Sequence, residues 1–376
     1  MKVLAIFGTR PEAVKMCPLI MELKKRAEIE CKVCLTGQHR EMLDQVMNCF
    51  SLQADYNLNI MNANQTLTEI TSAILEKLEP VLQTERPHIV LVHGDTTSSF
   101  AAALASFYQR IPIGHVEAGL RTGNMYAPFP EEINRCLIGR LAAIHFAPTE
   151  GNAENLKKEG VIKPIVVTGN TVIDSFKTTV RKNYTFSEPK LKSLNVTGKR
   201  IVLVTAHRRE NIGIPLRQIC LSLKRIAQNT KDVLVIYPLH LNPKVRGTAI
   251  PILNGEKNVV LTEPLGVLDM HNLMAKAYMV MTDSGGLQEE APALGKPVLV
   301  LREETERPEA IEAGTASLAG VEEERIYEIA MKLLDDSAAY EQMAKAVNPY
   351  GDGRASERIA DILQQIAQKE RSIEFG

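Results

Sequence analysis

Net charge is almost absent from this chain. Its 44 Lys and Arg residues balance 45 Asp and Glu residues, which leaves a formal charge of -1 over 376 residues. Proteins that mainly bind nucleic acid or an anionic membrane surface usually carry a clear excess of basic residues. The composition therefore predicts neither nucleic acid nor a membrane as a partner, and any phosphate site must be formed by local residues.

Long apolar runs are also missing. The first apolar run ends at Phe7, where it meets Gly8, and it is too short for the hydrophobic region of a signal peptide. No stretch reaches the roughly 20 apolar residues that a membrane-spanning helix needs. We therefore expect the chain to stay in the cytoplasm.

Cysteine is sparse, and the usual cofactor motifs are absent. Among six cysteines only Cys31 and Cys34 form a CxxC pair, without the second ligand pair of a zinc site or the helix start of a redox motif. The pair is predicted to be small apolar residues in or beside a strand. The GxGxxG fingerprint of NAD-binding proteins does not follow the first strand either. We predict neither a metal nor a cofactor.

What the sequence does contain is a regular alternation of short apolar runs with helical patterns. The runs are rich in Val and Ile, as expected for strands that are buried on both faces of a parallel sheet. Two series are predicted, at 3–7, 32–36, 89–93, 111–117, 144–148 and 165–168, and then at 201–206, 233–238, 259–263, 278–282 and 297–301. The polar stretch 174–199 separates them.

This pattern predicts two Rossmann-like, doubly wound α/β domains that face a cleft. We place the first domain at 1–170 plus the last helical pattern at 355–376, and the second at 171–354. The residues just after each strand then matter most, because parallel sheets bind ligands at the carboxyl ends of their strands.

In the first domain, a basic segment follows the first strand. The sequence GTRPE at 8–12 is consistent with an ordinary turn into a helix, but it also offers Arg10 and free backbone N–H groups to a phosphate. Lys15 is expected on the same helix end and adds a second positive charge.

Three carboxylates follow other strands of this domain. Asp95 stands where a helix N-cap is expected, and capping alone would explain it. Glu117 ends a strand before Ala118 and Gly119, and Glu131 begins a helix whose dipole favours an anion. Three such groups in one domain predict acid and base chemistry.

The second domain has the complementary character. His207 and Arg208 follow its first strand, where a basic surface run is the simpler alternative. Ser284, Gly285 and Gly286 open a helix where small residues let N–H groups approach a diphosphate. Further along, Glu290 is placed to accept hydrogen bonds from ribose hydroxyls, and Arg307 adds a cation.

At these positions the sequence resembles the non-hydrolysing UDP-N-acetylglucosamine 2-epimerase family. The similarity runs through nearly the whole chain in one register. The matching motifs are FGTRPEA at 7–13, QHREMLDQV at 38–46, VHGDTT at 92–97, GHVEAGLRT at 114–122, PEE at 130–132 with NR at 134–135, GNTVID at 169–174, HRRE at 207–210, HLNP at 240–243, 282–292, TERPE at 305–309 and NPYGDG at 348–353.

The resemblance implies a glycosyltransferase-B-like fold, a homodimer, and reversible conversion of UDP-N-acetylglucosamine to UDP-N-acetylmannosamine for surface polysaccharide synthesis. It implies acid and base groups at Asp95, Glu117 and Glu131. The UDP site implied by the resemblance consists of Arg10, His207, Ser284, Gly285, Gly286, Glu290 and Arg307.

Bacterial members of that family also bind a second UDP-N-acetylglucosamine as an activator. The implied positions are Gln38, Glu41, Asn64, Glu131, Arg208 and His240. Some members have Gln where Glu41 stands and Arg where Asn64 stands. A lost cation and a gained anion are expected to weaken the binding of an anionic effector.

The expected mechanism is elimination of UDP followed by its re-addition, with Asp95 and Glu131 on opposite faces of the sugar and Glu117 orienting the sugar or tuning another carboxylate. The catalytic contribution expected of His207 is to stabilise the departing UDP, together with Arg10, Arg307 and the helix start at Ser284. Three alternatives remain open at this stage: a hydrolysing epimerase that releases UDP, a glycosyltransferase of the same fold, and a catalytically silent UDP-sugar sensor.

Overall fold

The computed structural model describes residues 1–37, 40–61 and 65–374, with side chains described except at 40–42 and 370–374. Contacts divide the chain into two compact units: Met1–Thr178 with Tyr350–Gly376, and Thr179–Pro349. None of the described helices combines the length and the apolar character needed to cross a membrane.

The first unit is a seven-stranded parallel sheet in the order β3-β2-β1-β4-β5-β6-β7. Its strands are β1 Lys2–Phe7, β2 Glu30–Leu35, β3 Tyr56–Asn57, β4 Ile89–His93, β5 Ile113–Val116, β6 Ile144–Ala147 and β7 Ile165–Val167. Its helices are α1 Arg10–Lys24, α2 Arg40–Cys49, α3 Leu67–Glu85, α4 Thr97–Tyr108, α5 Glu131–Leu141, α6 Glu150–Lys158, α7 Thr171–Thr179 and the chain-terminal Ala355–Glu374.

The second unit is a six-stranded parallel sheet in the order β10-β9-β8-β11-β12-β13. Its strands are β8 Arg200–Thr205, β9 Val233–Pro238, β10 Val259–Thr262, β11 Met279–Thr282, β12 Val298–Val300 and β13 Ala316–Leu318. Its helices are α8 Pro189–Lys192, α9 Ile214–Asn229, α10 Pro243–Leu253, α11 Val267–Lys276, α12 Gly285–Ala293, α13 Pro308–Glu312, α14 Glu323–Asp335 and α15 Ser337–Ala344. The chain-terminal helix of the first unit, Ala355–Glu374, is numbered α16.

The central strands of both sheets are buried along their length because helices cover both faces. All five residues of β4 and all six of β9 are buried, as the continuous apolar runs predict. Cys31 and Cys34 are buried in β2, in agreement with their predicted role as small apolar residues, and burial raises the pKa of Cys31 to about 12.

Helix α16 belongs to the first unit although it ends the chain. Asp174 on α7 accepts hydrogen bonds from the backbone N–H groups of Ala355 (3.2 Å) and Ser356 (3.0 Å), so one carboxylate caps the start of α16. These contacts keep α7 with the first unit, whereas the sequence divided the chain at 170 and 354. The division into a sugar side and a UDP side stays a prediction.

Candidate active site

Four of the candidate residues follow the strands between which the strand order of each sheet reverses. In the first sheet the reversal is between β1 and β4, and Arg10 and Asp95 follow these two strands. In the second sheet it is between β8 and β11, which are followed by His207 and Ser284. Doubly wound sheets bind ligands at this reversal, which we call the switch point.

A buried glutamate joins the two loops at the first switch point. Glu12 Oε2 accepts the backbone N–H groups of Gly8 (2.9 Å) and Thr9 (2.7 Å), and Oε1 accepts the hydroxyl of Thr96 at 2.7 Å. Ser99 Oγ lies 2.7 Å from the same Oε1. Glu12 thus fixes the loop of Arg10 against the start of α4. The sequence interpretation missed it, although Thr-x-x-Glu at 9–12 is the signature of a capping box.

Arg10 is the first residue of α1 and is half-buried. No residue in the described part of the chain accepts a hydrogen bond from its guanidinium. A guanidinium at a helix N-terminus is well placed for an anion, since the helix dipole favours negative charge there.

The capping explanation for Asp95 is wrong. The N-cap of α4 is Thr96, whose Oγ1 accepts the backbone N–H of Ser99 at 3.0 Å. The carboxylate of Asp95 is instead paired with the Arg135 guanidinium at 2.5 Å, and the Asn134 amide donates to the Asp95 carbonyl at 2.9 Å. Asp95 is therefore held by α5 and is free of any capping role.

Three carboxylates lie close enough to affect the ionisation of one another. Burial raises the pKa of Asp95, the charge of Arg135 partly offsets this, and the nearby negative charges of Glu117 and Glu131 raise it further. The structure therefore brings together the three acid and base candidates of the first unit.

Glu117 is the most constrained of the three. Its backbone has φ +61°, a left-handed conformation that non-glycine residues rarely adopt. Its Oε2 is paired with Lys15, accepts the Asn170 amide at 3.0 Å and lies 3.4 Å from His93 Nε2. Burial opposes ionisation, but the charges of Lys15 and His93 together lower the pKa of Glu117 well below its usual value. Glu117 remains an anion, and the predicted contact of Lys15 with phosphate stays a prediction.

The two glutamates at the start of α5 have different surroundings. Glu132 is buried and accepts the backbone N–H groups of Thr122 (3.1 Å) and Gly123 (3.0 Å), with Arg135 Nη1 at 3.1 Å. Glu131 is half-buried, and no described residue donates a hydrogen bond to its carboxylate. Glu132 holds the loop, whereas Glu131 is available for a ligand.

In the second unit, the start of α12 has the predicted form of an anion site. Ser284 is the N-cap, but its side chain makes no capping hydrogen bond, so Gly285 and Gly286 follow without a side-chain cap. A Cβ added at Gly285 would lie 3.2 Å from Cζ of Arg307, so the guanidinium packs directly on the glycine. Arg307 Nε donates to the buried Glu289, which fixes the orientation of the guanidinium.

Two other glutamates surround this helix start. Glu290 Oε2 lies 3.5 Å from His271 Nε2, one turn along α12. Glu306 lies among three cations, 3.4 Å from Arg307 Nη1, 3.5 Å from Arg302 Nη2 and 3.9 Å from Arg208 Nη1. The structure thus places Glu290, Arg307 and Arg208 around the same loop cluster of the second unit.

His207 is stacked on His240, with ring centroids 5.0 Å apart and the rings 4° from parallel. Asp283, which is fully buried, accepts the backbone N–H groups of His207 (2.7 Å) and Arg208 (2.8 Å) and the amide of Asn211 (3.0 Å) on Oδ2. Burial lowers the pKa of His207, Asp283 partly offsets this, and the charges of His240 and Arg208 lower it further. Asp283 was not recognised in the sequence, where it stands inside a glycine-rich loop without a pattern of its own.

The activator positions can be followed only in part. Gln38 and Asn64 lie outside the described residues, and of Glu41 only the backbone, in α2, is described. Arg208 and His240 both adjoin His207, as stated above.

Two doubly wound parallel sheets, each with polar and charged residues at its switch point, define an α/β enzyme of the glycosyltransferase-B-like class. A solved structure described as the glycotransferase of kitacinnamycin shares this fold at only 12% sequence identity. The superposition covers 97% of this chain and 98% of the glycotransferase chain, with a TM-score of 0.65.

Closer relatives fix the family. The family model described as UDP-N-acetylglucosamine 2-epimerase matches residues 21–364. The UDP-N-acetylglucosamine 2-epimerase of Bacillus subtilis (strain 168) is 54% identical over 364 residues, 96% of this chain and 95% of the relative. The UDP-GlcNAc 2-epimerase of Neisseria meningitidis, solved bound to UDP-GlcNAc, is 49% identical, covers 97% of this chain and 100% of that chain, and has a TM-score of 0.87. The chain belongs to the UDP-N-acetylglucosamine 2-epimerase family and is an isomerase.

Proposed function

We propose that this enzyme interconverts UDP-N-acetylglucosamine and UDP-N-acetylmannosamine by eliminating UDP, retaining 2-acetamidoglucal, and adding UDP back. The observation that carries the proposal is the cluster of Asp95, Glu117 and Glu131, in which the charges of two members raise the pKa of the third. The Neisseria meningitidis relative, solved with UDP-GlcNAc, supports the same substrate here.

Elimination solves the chemical difficulty of the reaction. The C2–H bond of the sugar has no neighbouring carbonyl, so its proton is not acidic in the substrate. When the C1–O bond breaks, its electron pair leaves with UDP, and the positive charge that develops at C1 acidifies C2–H. A base takes this proton as the C1=C2 bond forms. Protonation of C2 from the opposite face and return of UDP to C1 complete the isomerisation without net consumption of any reactant.

Asp95 and Glu131 are the proposed proton carriers. The raised pKa of Asp95 brings its protonated and ionised forms closer in energy near neutral pH, as a group that must give and take a proton requires. No described residue donates to the Glu131 carboxylate. Glu117 remains ionised because of Lys15, so we assign it to orienting the sugar and raising the pKa of Asp95.

The second unit and Arg10 are proposed to stabilise UDP as it leaves. The uncapped start of α12 at Ser284, Gly285 and Gly286, together with Arg307, provides N–H groups and positive charge for the diphosphate. His207 adds a donor that becomes cationic when protonated. Glu290 is assigned to the ribose hydroxyls.

Other parts of the function remain predictions, from the family resemblance or, for the location, from the lack of long apolar runs. They are the homodimer, the cytoplasmic location, the supply of product to surface polysaccharide synthesis, and activation by a second UDP-N-acetylglucosamine near Arg208 and His240. Two residues are expected to weaken the activator site. Glu41 is an anion where some members have the amide Gln, and Asn64 is neutral where some members have the cation Arg.

The proposal is tested by incubating the enzyme with UDP-N-acetylglucosamine in heavy water and following the reaction by proton NMR. We expect UDP-N-acetylmannosamine to appear, deuterium to enter C2 of both sugars, and no free UDP to accumulate. Free UDP with free sugar would instead indicate a hydrolysing epimerase, and an unchanged C2–H signal would contradict the mechanism. An added sugar acceptor that becomes glycosylated would indicate a transferase.

A further inference from the structure

Asp283 has one carboxylate oxygen that the surrounding fold does not use. Its Oδ2 accepts three donors, from His207 N, Arg208 N and Asn211 Nδ2, whereas its Oδ1 has no hydrogen-bond partner among the described residues although Asp283 is 0% exposed. A buried carboxylate oxygen without a donor is costly, because it has lost its hydration. Holding the loop therefore accounts for Oδ2 only.

The His207 ring lies close to this carboxylate oxygen. Nδ1 of His207 lies 3.7 Å from Asp283 Oδ1, which is roughly 0.7 Å beyond an ordinary N–H···O hydrogen bond. The His207 side chain is 39% exposed, so it has room to rotate. Its backbone N–H is already bound to the same carboxylate, so a small change in the side-chain torsion brings Nδ1 to Oδ1.

We propose that Asp283 is a positioning residue for His207, accepting its Nδ1–H on Oδ1 and thereby leaving Nε2 to face the ligand. In the neutral ring the proton resides on Nδ1, and Nε2 carries the lone pair. When His207 takes up a proton, Nδ1–H stays on Asp283 and Nε2–H becomes a charged donor to an anion. The inference rests on the proposed function only in naming that anion as the diphosphate of UDP.

The positively charged groups around the His207 ring act against its protonation. His240 is stacked on His207 at 5.0 Å between centroids, and Arg208 is the next residue in the chain. Glu306 lies 3.9 Å from Arg208 and reduces the effect of that cation. Asp283 is the anion that faces the imidazole directly, so its removal is expected to favour the neutral ring.

His240, which is stacked on His207, is predicted to have the opposite tautomer and can serve as a reference in the same spectrum. His240 Nδ1 accepts the backbone N–H of Asn242 at 3.1 Å, so neutral His240 carries its proton on Nε2. The two rings of the stack are therefore predicted to differ in which nitrogen is protonated. This difference is measurable without any ligand.

The test is a two-bond proton–nitrogen correlation spectrum of the imidazole rings in ¹⁵N-labelled, ligand-free full-length protein, recorded above the pKa of His207. The His207 signals are assigned by their loss in His207→Gln. We expect Nδ1 of His207 to show the shift of a protonated nitrogen and Nε2 that of an unprotonated one. A His207 ring protonated on Nε2 in the natural protein would overturn the proposal, and this measurement does not depend on any Asp283 variant folding.

The variant Asp283→Asn sharpens the test because it is nearly isosteric. Its amide oxygen can still accept the three donors that bind Oδ2, while its NH₂ group faces His207 Nδ1 and donates to it. We expect the His207 tautomer to switch to Nε2–H and the pKa of His207 to fall. An unchanged tautomer in a folded variant would also overturn the proposal.

The matched control is Asp232→Asn, which removes a carboxylate paired with Arg200 at 2.7 Å, at the opposite end of β8. That end is about 20 Å from His207, given about 3.3 Å per strand residue, so the His207 signals should not change.

A UDP titration of the same variants separates this inference from the proposed function. If protonated His207 donates to the diphosphate, Asp283→Asn should raise the Kd for UDP about fivefold, because a neutral Nε2–H then replaces a charged one. A switched tautomer with an unchanged Kd would support the positioning role of Asp283 and contradict the assignment of His207 to UDP.

Discussion

The two units have the same strand order around the switch point, but they use a buried carboxylate there in different ways. Both oxygens of Glu12 are engaged, by the backbone N–H groups of Gly8 and Thr9 and by the hydroxyl of Thr96. Only one oxygen of Asp283 is engaged, and the other faces His207. A saturated carboxylate holds loops together, whereas one with a spare acceptor can also act on a functional side chain.

The units also differ in the charge that they present. In the first unit, three carboxylates of the loops and helix starts, Asp95, Glu117 and Glu131, lie close enough to affect one another's ionisation, with the cation Arg10 after β1. The second unit has an uncapped helix start and the cation Arg307. One scaffold, used twice, therefore carries different side chains in its two units, because the loops rather than the sheet determine the charge. The assignment of proton transfer to one unit and of phosphate binding to the other remains our proposal.

The largest expected effect is a loss of turnover without a loss of UDP affinity, which would separate the proposed proton transfer in the first unit from the proposed UDP binding in the second. Asp95→Asn should lower turnover about a thousandfold, the typical contribution of a positioned acid or base, while UDP affinity stays unchanged. Turnover is measured by proton NMR and UDP affinity by calorimetry. Asp361→Asn, which alters an exposed pair with Arg26 in the same unit, is the control and should keep full activity. Near-normal turnover in Asp95→Asn would remove Asp95 from the mechanism.

The second prediction concerns pH and the ionised state of Glu117. Its pKa in the folded protein is lowered, so its stabilising contribution is present above the unfolded pKa and is lost as the pH falls through the folded pKa. Glu117→Gln should lower the free energy of unfolding by about 3 kcal/mol near pH 7, because it removes the carboxylate that is paired with the half-buried Lys15.

The difference in the free energy of unfolding between Glu117→Gln and the natural protein should shrink as the pH falls. Urea unfolding at several pH values measures this difference. The exposed Glu154, which pairs with Lys157 at 3.8 Å, supplies the control. Glu154→Gln is expected to change stability by less than about 0.5 kcal/mol throughout. A gap that stays constant with pH would contradict the assignment of an ionised Glu117.

The third prediction compares the two buried carboxylates directly. Glu12→Ala should cost roughly 2–4 kcal/mol of stability, since the N–H groups of Gly8 and Thr9 lose their acceptor. Glu12→Gln should cost less than about 1 kcal/mol, because its amide oxygen can accept those N–H groups and its NH₂ can donate to the hydroxyls of Thr96 and Ser99, which reverse direction.

Asp283→Ala and Asp283→Asn should show the same order of stabilities. Yet only at Asp283 should the mild variant change the ionisation of a histidine, because its spare oxygen faces His207. Thermal unfolding and the imidazole spectra provide both readouts. A Glu12→Gln variant as unstable as Glu12→Ala would show that the charge, and not the acceptor geometry, holds the first switch point.

The smallest expected effect tests the helix start of the second unit. In Gly285→Ala the new methyl group must displace the Arg307 guanidinium by a few tenths of an ångström, because the Cβ would lie 3.2 Å from Cζ. We expect the Kd for UDP to rise about tenfold, as for the loss of one charge-assisted hydrogen bond. Gly247→Ala is the control, since a Cβ there meets open space and alanine favours the helix α10. An unchanged Kd in Gly285→Ala would mean that Arg307 does not bind the diphosphate.

Much of the fold could be read from periodicity. The strands at Ile89–His93 and Val233–Pro238 have the predicted limits. The edge strands Tyr56–Asn57 and Ala316–Leu318 were not predicted, because two or three residues are too few to show a pattern.

The sequence alone determined the two series of parallel strands and which chemical groups follow them, because burial on both faces requires apolar runs and the residues after each strand are then fixed in order. Only the tertiary structure decided what each group does. In the tertiary structure Thr96 is the N-cap of α4, and Asp95 is instead paired with Arg135. Lys15 is paired with Glu117, and Asp283 lies next to the His207 ring. Such pairings join residues from different strands and helices, and hydrogen bonds over a few ångströms depend on side-chain positions that no local pattern records.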